Sequence, residues 1–163
     1  MSTFPIDIVR SARRKRTVSA SLRDGRIRVM IPDGLDAEEE TRLVDQVVER
    51  VTRKATSAQV NLETRVDRLA ASYSLARPAS IEWSERQGKL WGSCTPEDGR
   101  IRVSSRLASM PGWVLDLVLI HEMAHLEVSG HGPSFQELVN RYELAERAMG
   151  YLIAVSDRGP ATV

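Results

Sequence analysis

The segment HEMAHLEVSGH, residues 121–131, holds all three histidines of the chain and one glutamate among them. On an α-helix, His121 and His125 lie four positions apart, so their side chains project about 40° apart and about 6 Å along the axis. Both imidazoles can then reach one ion. Glu122 is rotated about 100° from His121, beside that ion but outside its ligand set, where it can take a proton from an attacking water. His131 follows the Ser129-Gly130 pair, and the glycine lets the chain turn back sharply enough to bring it to the same ion. Three protein ligands with an open fourth position suit a hydrolytic Zn2+, whereas a structural zinc is more often closed by four ligands, commonly including cysteines. The expected chemistry is hydrolysis, with His121, His125 and His131 holding Zn2+ and Glu122 as general base.

A lone His-Glu-x-x-His pattern also arises by chance as the polar face of an exposed helix. The flanks here point elsewhere. Leu115, Leu117, Val118, Leu119, Ile120, Met123, Ala124 and Leu126 make the stretch apolar almost all round, which predicts a buried helix. A buried His-Glu-His without a metal leaves costly polar groups in a core.

The elements that must position these residues are legible in outline. IDIVRS, TVSASLR and RIRVMIP read as strands, with Asp24-Gly25 as a hairpin turn between the last two. Asp36 and Glu39 form a capping box, and Leu43, Val44, Val47, Val48 and Val51 recur at helical spacing. One long helix, or two broken near Thr56-Ser57, is expected to end before Pro78. SIEWSE and RIRVSS (100–105) read as strands separated by a loop through WGSCTPEDG, and RIRVSS is a candidate edge strand for an extended peptide. Pro111 suits the first turn of the buried helix, which runs on to Val128. A last helix spans about 134–149 with Phe135, Leu138, Val139 and Tyr142 on one face, closed by Gly150, and the tail SDRGPATV is expected to fray. This order predicts an α+β fold.

At 163 residues the chain fits one domain. Its 42% hydrophobic and 28% charged content is that of a globular protein, and the net charge of +1 decides nothing about partners. No stretch approaches the apolar length of a membrane span. The N-terminal basic residues follow a very short apolar piece instead of preceding a long one, so a cytoplasmic location is expected. The single cysteine, Cys94, fits a reducing compartment.

RSARRKRTVSASLRDGRIRVMIP, WGSCTPEDGRIRVSSRL and PGWVLDLVLIHEMAHLEVSGHGPSFQELV together resemble the small YgjP-like metallopeptidases, a family related to the SprT-like proteins. The resemblance covers nearly the whole chain. It implies a zincin-like fold, a zinc peptidase acting on a peptide or protein substrate, His121, His125 and His131 as ligands, and Glu122 as the catalytic residue. The domain layout expected from it is a single metallopeptidase domain over 1–163: a β-rich part at 1–34, a helical part at 36–76, and a zincin core with the metal site at 80–150. Met123 and Gly132 depart from the usual leucine and serine without removing a ligand. The spacing also matches the metzincin motif, but Val128 stands where that motif needs glycine.

Other single residues and a basic run complete the candidates. Arg106, at the end of RIRVSS, is the best placed to contact substrate or an oxyanion, ahead of Arg141 and Tyr142. Cys94, in WGSC, reads as a small buried residue, and as a fourth ligand it would turn the site structural. Gly92 reads as part of a plain turn beside a core Trp91, ahead of the alternative that it lets backbone approach the cleft. The basic run Arg10, Arg13, Arg14, Lys15 and Arg16, with Arg23, Arg26 and Arg28, supports an alternative: a nucleic-acid-associated protein whose zinc is mainly structural, or SprT-like processing of DNA-bound proteins. Substrate, oligomeric state and regulation have no signature in the sequence.

Overall fold

A computed structural model describes residues 4–156. The frayed tail expected at SDRGPATV lies, beyond Ser156, outside the described residues. The fold is α+β, in two compact units, Met1–Gln59 and Val60–Val163.

In the first unit, strands β1 (Ile6–Ser11), β2 (Ser19–Arg23) and β3 (Arg26–Pro32) form a sheet ordered β1-β3-β2, with β1 parallel and β2 antiparallel to β3. Asp24 and Gly25 make the hairpin turn, both with positive φ (49° and 72°), the pairing a two-residue type I′ turn requires. Helix α1 (Ala37–Ser57) starts where the Asp36 carboxylate accepts from the amides of Glu38 (3.1 Å) and Glu39 (2.9 Å). Its Val44, Val47 and Val48 cover Ile27, Val29 and Ile31 of the alternating strand β3, and these six make a core of their own.

In the second unit, α2 (Leu62–Tyr73) begins afresh because the Asn61 side chain caps the Thr64 amide (3.0 Å). The helical stretch is thus two helices, broken just past the expected Thr56-Ser57. Strands β4 (Ser80–Ser84), β5 (Gly92–Thr95) and β6 (Arg100–Ser104) form a sheet ordered β4-β6-β5. Two expectations change here. WGSC is not all loop: Gly92–Thr95 is a strand antiparallel to β6. RIRVSS is not an edge, because β6 is hydrogen-bonded on both sides, and the edges are β4 and β5.

A 3₁₀ turn (Ser105–Ser109) leads to α3 (Gly112–Ala124), with Pro111 as its N-cap. From Val114 to Ala124 every residue of α3 is buried. The helix stops at Ala124 instead of Val128: the amides of Leu126 and Glu127 bond three residues back, tightening the turn, before Gly130 takes φ +76°. The expected final helix is two, α4 (Pro133–Val139) and α5 (Ala145–Val155). The break follows from tertiary anchors. Tyr142 donates its hydroxyl to the Trp113 carbonyl (3.1 Å), and Arg141 donates to the carbonyls of Tyr73 and Ser74 (3.0 Å each). Gly150 lies inside α5 between buried Ala148 and Leu152 and ends nothing. Among the described residues no helix is long and apolar enough to cross a membrane.

Candidate metal centre

Helix α3 delivers His121 and Glu122 on its last buried turn, and His125 forms its C-cap. His131 arrives after Gly130, whose left-handed conformation supplies the reversal. The His121 Nε2 lies 3.2 Å from the Nε2 atoms of both His125 and His131, and one ligand atom from each histidine falls within 4.8 Å of the others. Two nitrogens each about 2.0–2.1 Å from one ion at the tetrahedral angle sit about 3.3 Å apart. The two spacings about His121 Nε2 are therefore of the size a shared metal ion would set.

The surroundings hold the rings in that pose. His125 Nδ1 faces the Val128 carbonyl at 3.4 Å, which favours the tautomer leaving Nε2 as a lone-pair donor. The Phe135 ring touches all three imidazoles: stacked on His125 (centroids 4.5 Å) and edge-on to His121 (4.7 Å) and His131 (4.8 Å). Phe135 reads from sequence only as part of an apolar helix face. Its place in the first turn of α4, just after His131, is what brings it to the site.

Electrostatics match a cation site. His121 is 4% exposed, and burial, with neighbouring His125 and His131 adding to it, lowers its pKa to about 3, so it stays neutral and able to ligate. His125 is lowered too, chiefly by burial. Glu122 is 3% exposed, and burial raises its carboxyl to about 8.

Strand β5 closes the site on the Glu122 side. A Cβ on Gly92 would stand 2.8 Å from Glu122 Cγ and 2.9 Å from Cδ, and would run into Oε1. The carboxylate thus rests where only glycine leaves room, and of the two readings of Gly92 the close approach is the one the structure shows. Trp91 is buried in the core as well. Cys94 lies in the same strand, its thiol pushed up to about 11 by burial and by the neighbouring Glu122 and Glu97 carboxylates. It stays protonated and is not in the metal-holding group, which among the described residues is the three histidines.

Arg106 is held by the loop before β5. Its guanidinium donates to the Gln87 (3.2 Å) and Leu90 (3.1 Å) carbonyls and to Ser104 Oγ (3.1 Å), and lies 4.0 Å over the Trp91 ring. These contacts fasten residues 87–91, the approach to β5. Arg141 and Tyr142 are spent on the backbone anchors described above.

The family model described as "YgjP-like, metallopeptidase domain" matches residues 15–143. No curated protein matches the chain. Among solved structures, the metallopeptidase zymogen abylysin of Pyrococcus abyssi is similar in fold, with TM-score 0.54 and 20% identity over 61% of this chain and 98% of that one.

Proposed function

From the premise that the chain belongs to the YgjP-like metallopeptidase family, we propose that it is a zinc peptidase in which His121, His125 and His131 hold the ion and Glu122 is the general base. The observation that carries this reading is the convergence of three imidazole nitrogens at 3.2 Å with Glu122 one residue away on the same helix turn. A three-histidine set leaves a coordination position for water or substrate, which a four-ligand structural zinc does not. When bound, zinc supplies a Lewis acid that acidifies water and polarises the scissile carbonyl.

The protein's own groups do the rest. Glu122 accepts the proton of the attacking water and returns it to the leaving amine. Burial brings its pKa toward neutrality, where a carboxylate serves in both directions. Gly92 keeps its carboxylate in place, and Arg106 positions the segment leading into β5. The outer edge of β5, whose first residue Gly92 lies against Glu122, is the strand on which an extended peptide backbone would pair.

The test compares wild type, Glu122→Gln and His131→Ala for metal content and for casein or peptide-library cleavage. Wild type should hold about one zinc per chain and cleave in a chelator-sensitive way. Glu122→Gln should keep zinc and lose at least about 100-fold in rate. His131→Ala should lose both. Full activity in Glu122→Gln would falsify the mechanism, and wild type without metal would remove the reading altogether.

A further inference from the structure

The net charge of +1 conceals a segregation. Residues 1–32 carry eight basic side chains, seven of them arginine, against two acidic, while the remainder carries fifteen basic against twenty acidic. The first unit sorts these charges by face. On β3, Ile27, Val29 and Ile31 point to α1, so Arg26, Arg28 and Met30 point away from it. The strand register puts Asp7 and Ser21 beside Arg28, Val9 and Ser19 beside Met30, and Arg23 opposite Arg26 on that same helix-free face. Arg14, in the loop from β1 to β2, lays its guanidinium on Met30 there (3.7 Å to sulfur).

Little on this face neutralises the arginines. Asp7 is engaged bidentately by Arg26 (2.6 and 2.8 Å). Arg10 turns to the helix side, where it pairs with Glu40 at 2.6 Å, and so leaves the basic run. Among the described residues, Arg13, Arg14, Lys15, Arg16, Arg23 and Arg28 form no ion pair with a carboxylate.

We propose that the helix-free face of this N-terminal sheet, with Arg14, Arg23 and Arg28 and with Arg13, Lys15 and Arg16 beside Arg14 in the loop from β1 to β2, docks the sugar-phosphate backbone of a nucleic-acid duplex. Planar guanidiniums match phosphate oxygens in paired hydrogen bonds, which favours phosphate over a diffuse acidic surface. No aromatic residue lies in 5–35, so nothing offers stacking for the bases of a single strand. A membrane needs apolar anchors beside the charges. The exposed apolar residues of the sheet, Ile6 (42%) and Ile8 (41%), share rows with Ile27 and Val29 on the opposite face. The inference goes beyond the peptidase reading and does not depend on it.

The experiment is fluorescence anisotropy of the full chain with labelled mixed-sequence DNA and RNA duplexes across a salt series, beside the single strand and phosphatidylserine vesicles. Six phosphate contacts give a log–log salt slope of about −5 for the duplexes. The Arg23→Ser, Arg28→Ser double variant should be shallower by about 2 and bind at least tenfold more weakly at about 100 mM salt. Its thermal midpoint and casein cleavage should match wild type. The two duplexes should bind within about tenfold of each other, since the backbone alone is contacted. No binding at about 50 mM salt, unchanged binding by the double variant, tighter binding to the single strand, or binding to vesicles alone would each overturn the assignment.

Discussion

Gly92 and Phe135 make the sharpest demands on single residues. A methyl at position 92 cannot coexist with the present Glu122 carboxylate, whose Cγ and Cδ lie 2.8 and 2.9 Å from where it would sit. Glu122 is the mobile partner, so the strand keeps its place and the carboxylate shifts. Displacing a proton-transfer group by about 1 Å costs about 100-fold in rate. Gly92→Ala should therefore lose that much in kcat with metal content unchanged, and wild-type turnover in this variant would show that Glu122 tolerates displacement. Phe135 acts on the ligands instead. Phe135→Leu removes the ring that contacts His121, His125 and His131, so zinc should be lost to a competing chelator about tenfold more readily, as for other groups supporting ligands. Retained affinity would reduce Phe135 to a core residue. The grouping of His121, Glu122 and His125 was legible in sequence because helix geometry fixes i, i+1 and i+4 positions regardless of context, and that of His131 because Gly130 marks a reversal. Gly92 meets Glu122 across thirty residues of chain, and Arg106 turns to carbonyls of a preceding loop. Such contacts belong to tertiary packing and leave no local period.

Among elements, α3 is the part whose placement matters most, and its anchor lies before the histidines. Asp116, 8% exposed, accepts from Arg65 Nε (2.6 Å) and from Arg68 Nη2 (3.1 and 3.2 Å), while Arg65 also donates to the Gly112 carbonyl (2.8 Å). Two guanidiniums of α2 thus clamp the first turns of α3. Breaking a fully buried pair costs 3–5 kcal/mol, but both arginines can swing back into water. Asp116→Ala should then cost about 2 kcal/mol in chemical denaturation. A loss under about 0.5 kcal/mol would place this cluster with ordinary surface ion pairs. The β-hairpin and α1 were readable because turn chemistry, capping and periodicity act within a few residues. Strand β5 was missed because four residues of GSCT carry no alternation and pair only once β6 is present. The division of the last helix was missed for a related reason, since Arg141 and Tyr142 find their partners on α2 and α3.

At the scale of the molecule, length and composition point to one domain, and within it the chain packs as two compact units with separate apolar cores. Total counts of apolar and charged residues cannot reveal how a core divides, and the break at Gln59 carries no Pro/Gly-rich linker to mark it. The division has a thermodynamic consequence under the zinc reading. The three histidines that could hold the metal belong to the second unit, so a metal that binds its folded form would stabilise that unit by mass action: about 2.7 kcal/mol at free metal 100 times Kd. The first unit rests on Ile27, Val29 and Ile31 against α1 and gains nothing from the ion. Calorimetry of the full chain should show two transitions in chelator, with added zinc raising one midpoint by several degrees and leaving the other fixed. Val47→Ala, in the α1 core, should lower only the transition that zinc leaves alone. A single transition that moves as a whole with both zinc and Val47→Ala would mean that the units fold as one cooperative body.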